Sequence, residues 1–231
     1  MDGMSMSDGM TTSMWMRMPG HSWAGTATSF LGMWVAMMVA MMLPSLAPTL
    51  WRYRRAARHA ALTHVAGRTT LVGTGYFAVW AAAGVVVFPL GVAAANLAAR
   101  QPSLAHVAPL AAGMVVLLAG MVQYSTWKAR QLAFCREVSV HGNHAPAVAH
   151  APWRHGVRLG LHCIGSCAGL TAAGLLAGAM DLRVMAVVTA AITVERLAPD
   201  HARVVRAIGD AVVLAGLVLL ARAAGFGGQG P

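Results

Sequence analysis

Long apolar runs without a charged side chain dominate the pattern of this chain. Residues 24–50, 69–99, 107–127 and 211–221 contain no Asp, Glu, Lys or Arg. A helix needs roughly 20 apolar residues to cross the hydrocarbon core of a bilayer. A helix on the surface of a soluble bundle would show a polar face, which these runs lack. The pattern therefore predicts an all-α protein, a polytopic bundle of transmembrane helices in contact with the lipid bilayer.

We predict six spans, of which the fourth and fifth are joined around Asp181 into an antiparallel hairpin. They cover residues 24–48, 70–98, 104–126, 156–179, 182–198 and 203–224. The first 22 residues lack the apolar core of a signal peptide, so we expect them to remain on the protein. The chain then divides into a Met-rich extracytoplasmic tail (1–22), a transmembrane domain (23–225) and a short disordered end (226–231).

Basic residues lie between the apolar runs, and most of them fall on one side of the predicted bundle. Arg17, Arg100, Arg183 and Arg222 lie on one side, and the other 13 of the 17 Lys and Arg residues lie opposite. Basic loops stay in the cytoplasm. Both termini should therefore face outward, in a multi-pass protein of a bacterial inner (plasma) membrane.

Composition agrees with this assignment. Only 10% of the residues are charged, whereas a soluble domain carries about 25%. The net charge of +10 does not predict nucleic-acid binding, because the basic residues lie at span ends and are not interleaved with aromatic side chains.

A stripe of thioether side chains runs along the first span toward its basic end. Met37, Met38, Met41 and Met42 lie within six residues of each other in "MWVAMMVAMMLP". Methionine fills irregular gaps in apolar cores, so packing alone is one interpretation. Thioethers also bind copper(I), so metal binding is the other.

Two cysteines lie in the inner half of the fourth span, in "HCIGSCAGL". Cys163 and Cys167 are four residues apart and share one helix face, and His162 precedes the first of them. Thiolates select copper(I), while imidazole suits several transition metals. Together with the methionine stripe, these residues predict a soft-metal site inside the membrane.

Three further candidates lie at the same end of the bundle. Gln123 is costly at membrane depth and should face the interior, and Glu195 should pair with Arg196, Arg158 or Lys128. Cys135 is expected in the cytoplasmic loop that follows span three. Gln123 and Glu195 would orient the ligands or carry a coupled proton.

In order and spacing, these motifs resemble a bacterial family known as predicted metal-binding integral membrane proteins, a domain of unknown function. The resemblance covers about residues 30–200 and implies metal binding without specifying a reaction. Where the family has Cys-x-x-Cys-Cys, this chain has Ser166 before Cys167, so one candidate ligand is missing. The positions that match the family's motifs are Met41, Met42, Pro44, Gln123, Cys135, Arg136, Cys163, Cys167 and Glu195.

The N-terminal tail is an independent indication of copper, because seven of its first 18 residues are Met. No core exists there for these side chains to fill. Their spacing resembles the copper-collecting segments of bacterial copper-handling proteins, although a membrane-surface anchor is an alternative. We predict a secondary metal-collecting segment formed by Met4, Met6, Met10, Met14, Met16, Met18 and His21.

The leading hypothesis is a metal-binding membrane protein for copper uptake, export or delivery, with copper(I) favoured and another transition metal as the alternative. No nucleotide-binding G-x-x-x-x-G-K-[ST] motif occurs, so transport would need a gradient or a membrane or periplasmic protein partner. A membrane redox or thiol-carrier enzyme and a non-catalytic subunit of a larger membrane complex are the competing hypotheses. No catalytic residue is assigned, and whether the protein is an enzyme stays open.

Overall fold

A computed structural model describes residues 22–100, 102–140, 151–178 and 181–225, and these ranges contain seven helices and no strand. The all-α prediction is therefore confirmed for the described part of the chain. The helices are α1 (Trp23–His59), α2 (Val65–Arg100), α3 (Pro102–Val122), α4 (Thr126–Val140), α5 (Pro152–Gly178), α6 (Leu182–Leu197) and α7 (His201–Ala223).

Four segments are long and apolar enough to cross a membrane. They are Trp23–His59, Val65–Leu97, Pro152–Leu176 and His201–Ala223. A fifth is added if the bent pair Val107–Val122 and Thr126–Arg136 is one span. The predicted fifth span corresponds to α6, which has 16 residues and falls short of the roughly 20 that a perpendicular span needs. Length and composition thus support four or five of the six predicted spans.

The region after the third predicted span differs from the prediction. We expected Cys135 in a loop, but it lies on α4 and is buried. The chain bends by 63° between α3 and α4, and Ser125 caps the new helix by accepting a hydrogen bond from the Lys128 amide. The bend directs α4 back against α5, which carries Cys135 into the interior.

The first helix is also longer than predicted. Instead of ending near residue 48 it continues to His59, past Pro44 and Pro48. Proline removes a backbone donor from a helix interior, and Ser45 turns its hydroxyl back to the Met42 carbonyl at 3.0 Å. The first basic cluster therefore begins on the last turns of α1.

Packing places α5 at the centre of the bundle, where it contacts α2, α3, α4 and α6. Helix α1 packs on α2 and α6, while α3 packs on α7. The closest crossing joins α2 and α5, where a Cβ on Gly156 would lie 2.1 Å from the Val72 carbonyl oxygen and one on Gly75 would lie 2.6 Å from the Trp153 carbonyl oxygen. Small residues at both positions let the two backbones approach.

We expect Gly156→Ala to lower the free energy of unfolding by about 1–3 kcal/mol, since the two helices must separate to admit the methyl group. Gly67→Ala is the matched control, because nothing lies within 4 Å of the added Cβ and alanine is the better helix former by about 1 kcal/mol. Titration of both purified variants with sodium dodecyl sulfate, followed by circular dichroism, measures the difference. Equal stabilities would contradict this account of the crossing.

Candidate metal centre

Three sulfur atoms from α1 and α5 meet in the interior of the bundle. Cys163 Sγ lies 3.7 Å from Cys167 Sγ and 4.0 Å from Met42 Sδ. Met38, Met42 and Cys163 are fully buried and Cys167 is almost so. The convergence of the methionine stripe with the cysteine pair, which the sequence suggested, is thus present. The sulfur cluster is defined here as Met42, Cys163 and Cys167.

Helix geometry and a close neighbour fix the two thiols. Cys167 donates a hydrogen bond to the Cys163 carbonyl one turn earlier, at 2.8 Å. Cys163 Sγ shares a 2.8 Å hydrogen bond with the Tyr76 hydroxyl of α2. Gly160 permits this approach, since a Cβ there would lie 3.0 Å from the Tyr76 carbonyl. All three cysteines of the chain lie in the described part, and no disulfide joins them.

A small cavity lined by methionine adjoins the sulfur cluster. Met37, Met38 and Met41 of α1 face Met185 of α6 across it, and Thr171 of α5 contributes a buried hydroxyl without a hydrogen-bond partner. Its free volume of about 10 Å³ admits one water-sized particle. Its lining includes Thr171, which lies one helical turn after Cys167 on α5, and Met41, which directly precedes Met42 on α1.

A buried ion pair lies on the other side of the sulfur cluster. Lys128 Nζ contacts both carboxylate oxygens of Glu195 at 2.9 and 3.0 Å, and the two side chains are 3% and 2% exposed. This confirms one of the three partners predicted for Glu195. Arg136 Nη1 donates to the Arg196 and Ala198 carbonyls at 3.0 and 2.7 Å, so a basic side chain satisfies the end of α6.

Arg196 directly follows Glu195 in the chain, and its side chain contacts α1 and α4. Its guanidinium donates to Ser45 Oγ at 3.2 Å and to Cys135 Sγ at 3.5 Å. The side chain is buried, and its Nε has no hydrogen-bond partner. Cys163, Cys167 and Tyr76 are also among the groups that interact with it electrostatically.

The remaining predicted residues are placed differently. His162 engages α4 instead of the sulfur cluster: its Nδ1 donates a hydrogen bond to Gln131 Oε1, and its ring stacks on Phe134. Gln123 is buried as predicted, and its amide atoms have no hydrogen-bond partner. Cys135 is buried beside Arg196. The predicted collecting residues of the tail lie outside the described residues.

Sequence reasoning missed four residues at this site, namely Tyr76, Thr171, Met185 and the role of Arg196. Tyr76 and Met185 lie in predicted spans without any motif that marks them. Arg196 appeared only as a partner for Glu195 or as a basic residue at a span end. The sequence did contain one indication, because an arginine directly follows Glu195. Two adjacent charged side chains at the end of an apolar run point in different directions, so each needs a partner of its own.

The donor set is one of sulfur rather than of nitrogen and oxygen. Within the described ranges, no group of three or more His, Cys, Asp or Glu side chains has an arrangement that holds a metal ion. Two thiols and a thioether are soft donors, of the kind that favours copper(I).

The fold and the site together define a helical protein with several membrane-length helices and a buried sulfur cluster. The family model described as PpoB2, copper chaperone, matches residues 31–219. The chain therefore belongs to the PpoB2 family of copper chaperones. The matched range includes all nine of the positions that carry the resemblance noted in the sequence, and it supports a copper-related domain.

No curated protein and no solved structure matches the chain.

Removing one residue of the buried ion pair should leave the charge of the other residue unpaired in the interior. We expect Lys128→Met and Glu195→Gln each to lower the free energy of unfolding by about 3–5 kcal/mol, whereas Lys128→Met combined with Glu195→Leu should lie much nearer the parent. The exposed pair of Arg203 and Asp200 is the control, and Arg203→Ala should cost no more than about 1 kcal/mol. Detergent-unfolding titrations would refute this if the double variant were as unstable as the singles.

Proposed function

We propose that the protein is a membrane-embedded copper(I) chaperone that holds the ion between α1 and α5. The ligands are the Cys163 and Cys167 thiolates and the Met42 thioether. The observation that carries this proposal is the convergence of these three sulfur atoms in a site closed to water. The family's description as copper chaperones supports delivery over uptake or export.

The spacing of the sulfur atoms suits a trigonal ion. With metal–sulfur bonds of about 2.3 Å, the length known for a first-row metal and thiolate, three ligands around one ion lie about 4 Å apart. The two separations from Cys163 Sγ, 3.7 Å to Cys167 Sγ and 4.0 Å to Met42 Sδ, are close to this value.

The methionine-lined cavity would serve as the approach to the sulfur cluster. Met37, Met41 and Met185 line it together with Thr171, one helical turn after Cys167, and thioethers bind copper(I) without losing a proton. We further propose that the tail over residues 1–22 collects copper outside a bacterial inner membrane and that the domain over residues 23–225 spans it six times. Copper would then enter from the outer side and stay bound at the sulfur cluster until it is transferred to a protein acceptor.

The other candidate ligands take supporting parts in this proposal. The Glu195 carboxylate is held by Lys128, which suits a group that orients α6 rather than one that binds the ion. Gln123 lies at the bend next to α4 with an unsatisfied amide, which could hydrogen-bond a water molecule there. His162 is left out of the ligand set, because its ring engages α4.

We expect Cys163→Ser and Cys167→Ser each to lower copper(I) affinity by more than about tenfold, since the loss of outer partners alone changes metal affinity about 10–100-fold. Met42→Leu should have a smaller effect, because it removes the neutral ligand. Competition with a coloured copper(I) chelator on purified full-length protein measures the affinities.

Met121→Leu is the matched control for the thioether, because Met121 is 58% exposed on α3 and far from any cysteine in sequence. Its copper(I) affinity should equal that of the parent. The proposed site would be wrong if both serine variants bound copper(I) as the parent does, or if Met42→Leu and Met121→Leu gave the same affinity. A thiol-carrier role would instead appear as a mixed disulfide with a partner.

A further inference from the structure

The buried charges beside the sulfur cluster do not balance. In the part of the chain that the structure describes, the charged side chains in the buried set are Lys128, Glu195 and Arg196. Lys128 and Glu195 neutralise each other at 2.9 Å. Arg196 therefore brings one positive charge into the interior without a carboxylate of its own, although Glu195 also interacts with it.

The contacts of Arg196 supply no negative charge. Its guanidinium donates to the neutral Ser45 hydroxyl and to Cys135 Sγ, and its Nε has no hydrogen-bond partner. A buried charge is costly unless it is paired. Cys163, Cys135, Tyr76 and Cys167 are among the groups that interact with it electrostatically. The sulfur cluster and its immediate neighbours can therefore supply a compensating anion.

We infer that Arg196 is the counter-ion of a copper(I) bis-thiolate and selects monovalent over divalent soft cations at the sulfur cluster. This inference rests on the proposed function. Two thiolates with a monovalent cation carry one net negative charge, which Arg196 cancels. Two thiolates with zinc(II) or cadmium(II) are neutral and leave the arginine uncompensated in a low-dielectric interior, where such a difference has its largest effect.

In this inference the Cys135 thiol keeps its proton, so it adds no charge to the balance. It accepts a hydrogen bond from Arg196 and lies on α4, whereas the other two thiols share α5. Across the described ranges, no three His, Cys, Asp or Glu side chains form a metal-binding group, so the three cysteines do not make a ready three-thiolate site. A divalent cation would need three thiolate ligands for the complex to carry one net negative charge.

The first test compares Arg196→Gln with Arg196→Lys. Glutamine removes the positive charge, while lysine keeps a positive charge on a side chain of similar length. The ratio of copper(I) to cadmium(II) affinity in purified full-length protein should fall at least about tenfold in Arg196→Gln, or about 1.4 kcal/mol, and should stay near the parental ratio in Arg196→Lys. A purely structural arginine would change stability without changing this ratio.

The second test leaves Arg196 in place and neutralises it from within the protein. Ser45 Oγ lies 3.2 Å from the guanidinium, so Ser45→Asp would set a carboxylate beside it. Ser45→Asn is the matched control, because the two side chains have the same shape and differ in charge. We expect the affinity ratio to fall at least about tenfold in Ser45→Asp relative to Ser45→Asn. This pair keeps the inference testable if Arg196→Gln does not fold.

The outcomes separate the two claims. A parent that binds no copper(I) overturns the proposed function, and the inference falls with it. A parent that binds copper(I) while Ser45→Asp and Ser45→Asn share one affinity ratio overturns the inference alone. Loss of selectivity in Arg196→Lys equal to that in Arg196→Gln also overturns it, because charge would then not be the deciding property.

Discussion

The interior of this bundle excludes water, and every charge inside it must find its compensation within the protein. That constraint explains why the polar residues of α4, α6 and the end of α1 face each other. Lys128 contacts Glu195, Arg136 contacts the carbonyls that end α6, and Arg196 contacts Ser45 and Cys135. The thiols are the acidic groups of this neighbourhood that are not already held in an ion pair. The buried charges therefore affect both the packing of the helices and the chemistry of the sulfur cluster.

The sequence predicts the helices well because a long apolar run without charges leaves few alternatives to a buried or membrane-spanning helix. It also predicts which face Cys163 and Cys167 share, since that follows from helical periodicity alone. The meeting of Met42 with Cys163 was expected from the direction of the two spans. The partner of Glu195 was predicted only as one of three residues, because the choice depends on the rotation of α4 about its axis.

The failures have one physical origin. The α2–α5 crossing, set by close backbone contacts at Gly75 and Gly156, determines that Tyr76 reaches Cys163, and no local pattern encodes that distance. The bend before α4 changes the direction of the chain, whereas the hydropathy of the sequence shows only the end of an apolar run. For that reason the sequence analysis assigned Cys135 to a loop. Met185 contributes to the cavity through the packing of α6 on α1, which spacing within α6 does not reveal.

The bend between α3 and α4 has an electrostatic consequence of its own. Three successive amides, those of Gln123, Tyr124 and Ser125, bond to carbonyls only three residues earlier, and a new helix begins at once. The positive end of that helix's peptide dipole therefore lies next to Lys128, inside the bundle, where the Glu195 carboxylate is bound. Peptide groups thus add to the field that holds an acid at this depth. A substitution that straightens the turn would weaken that field without changing any ionisable residue.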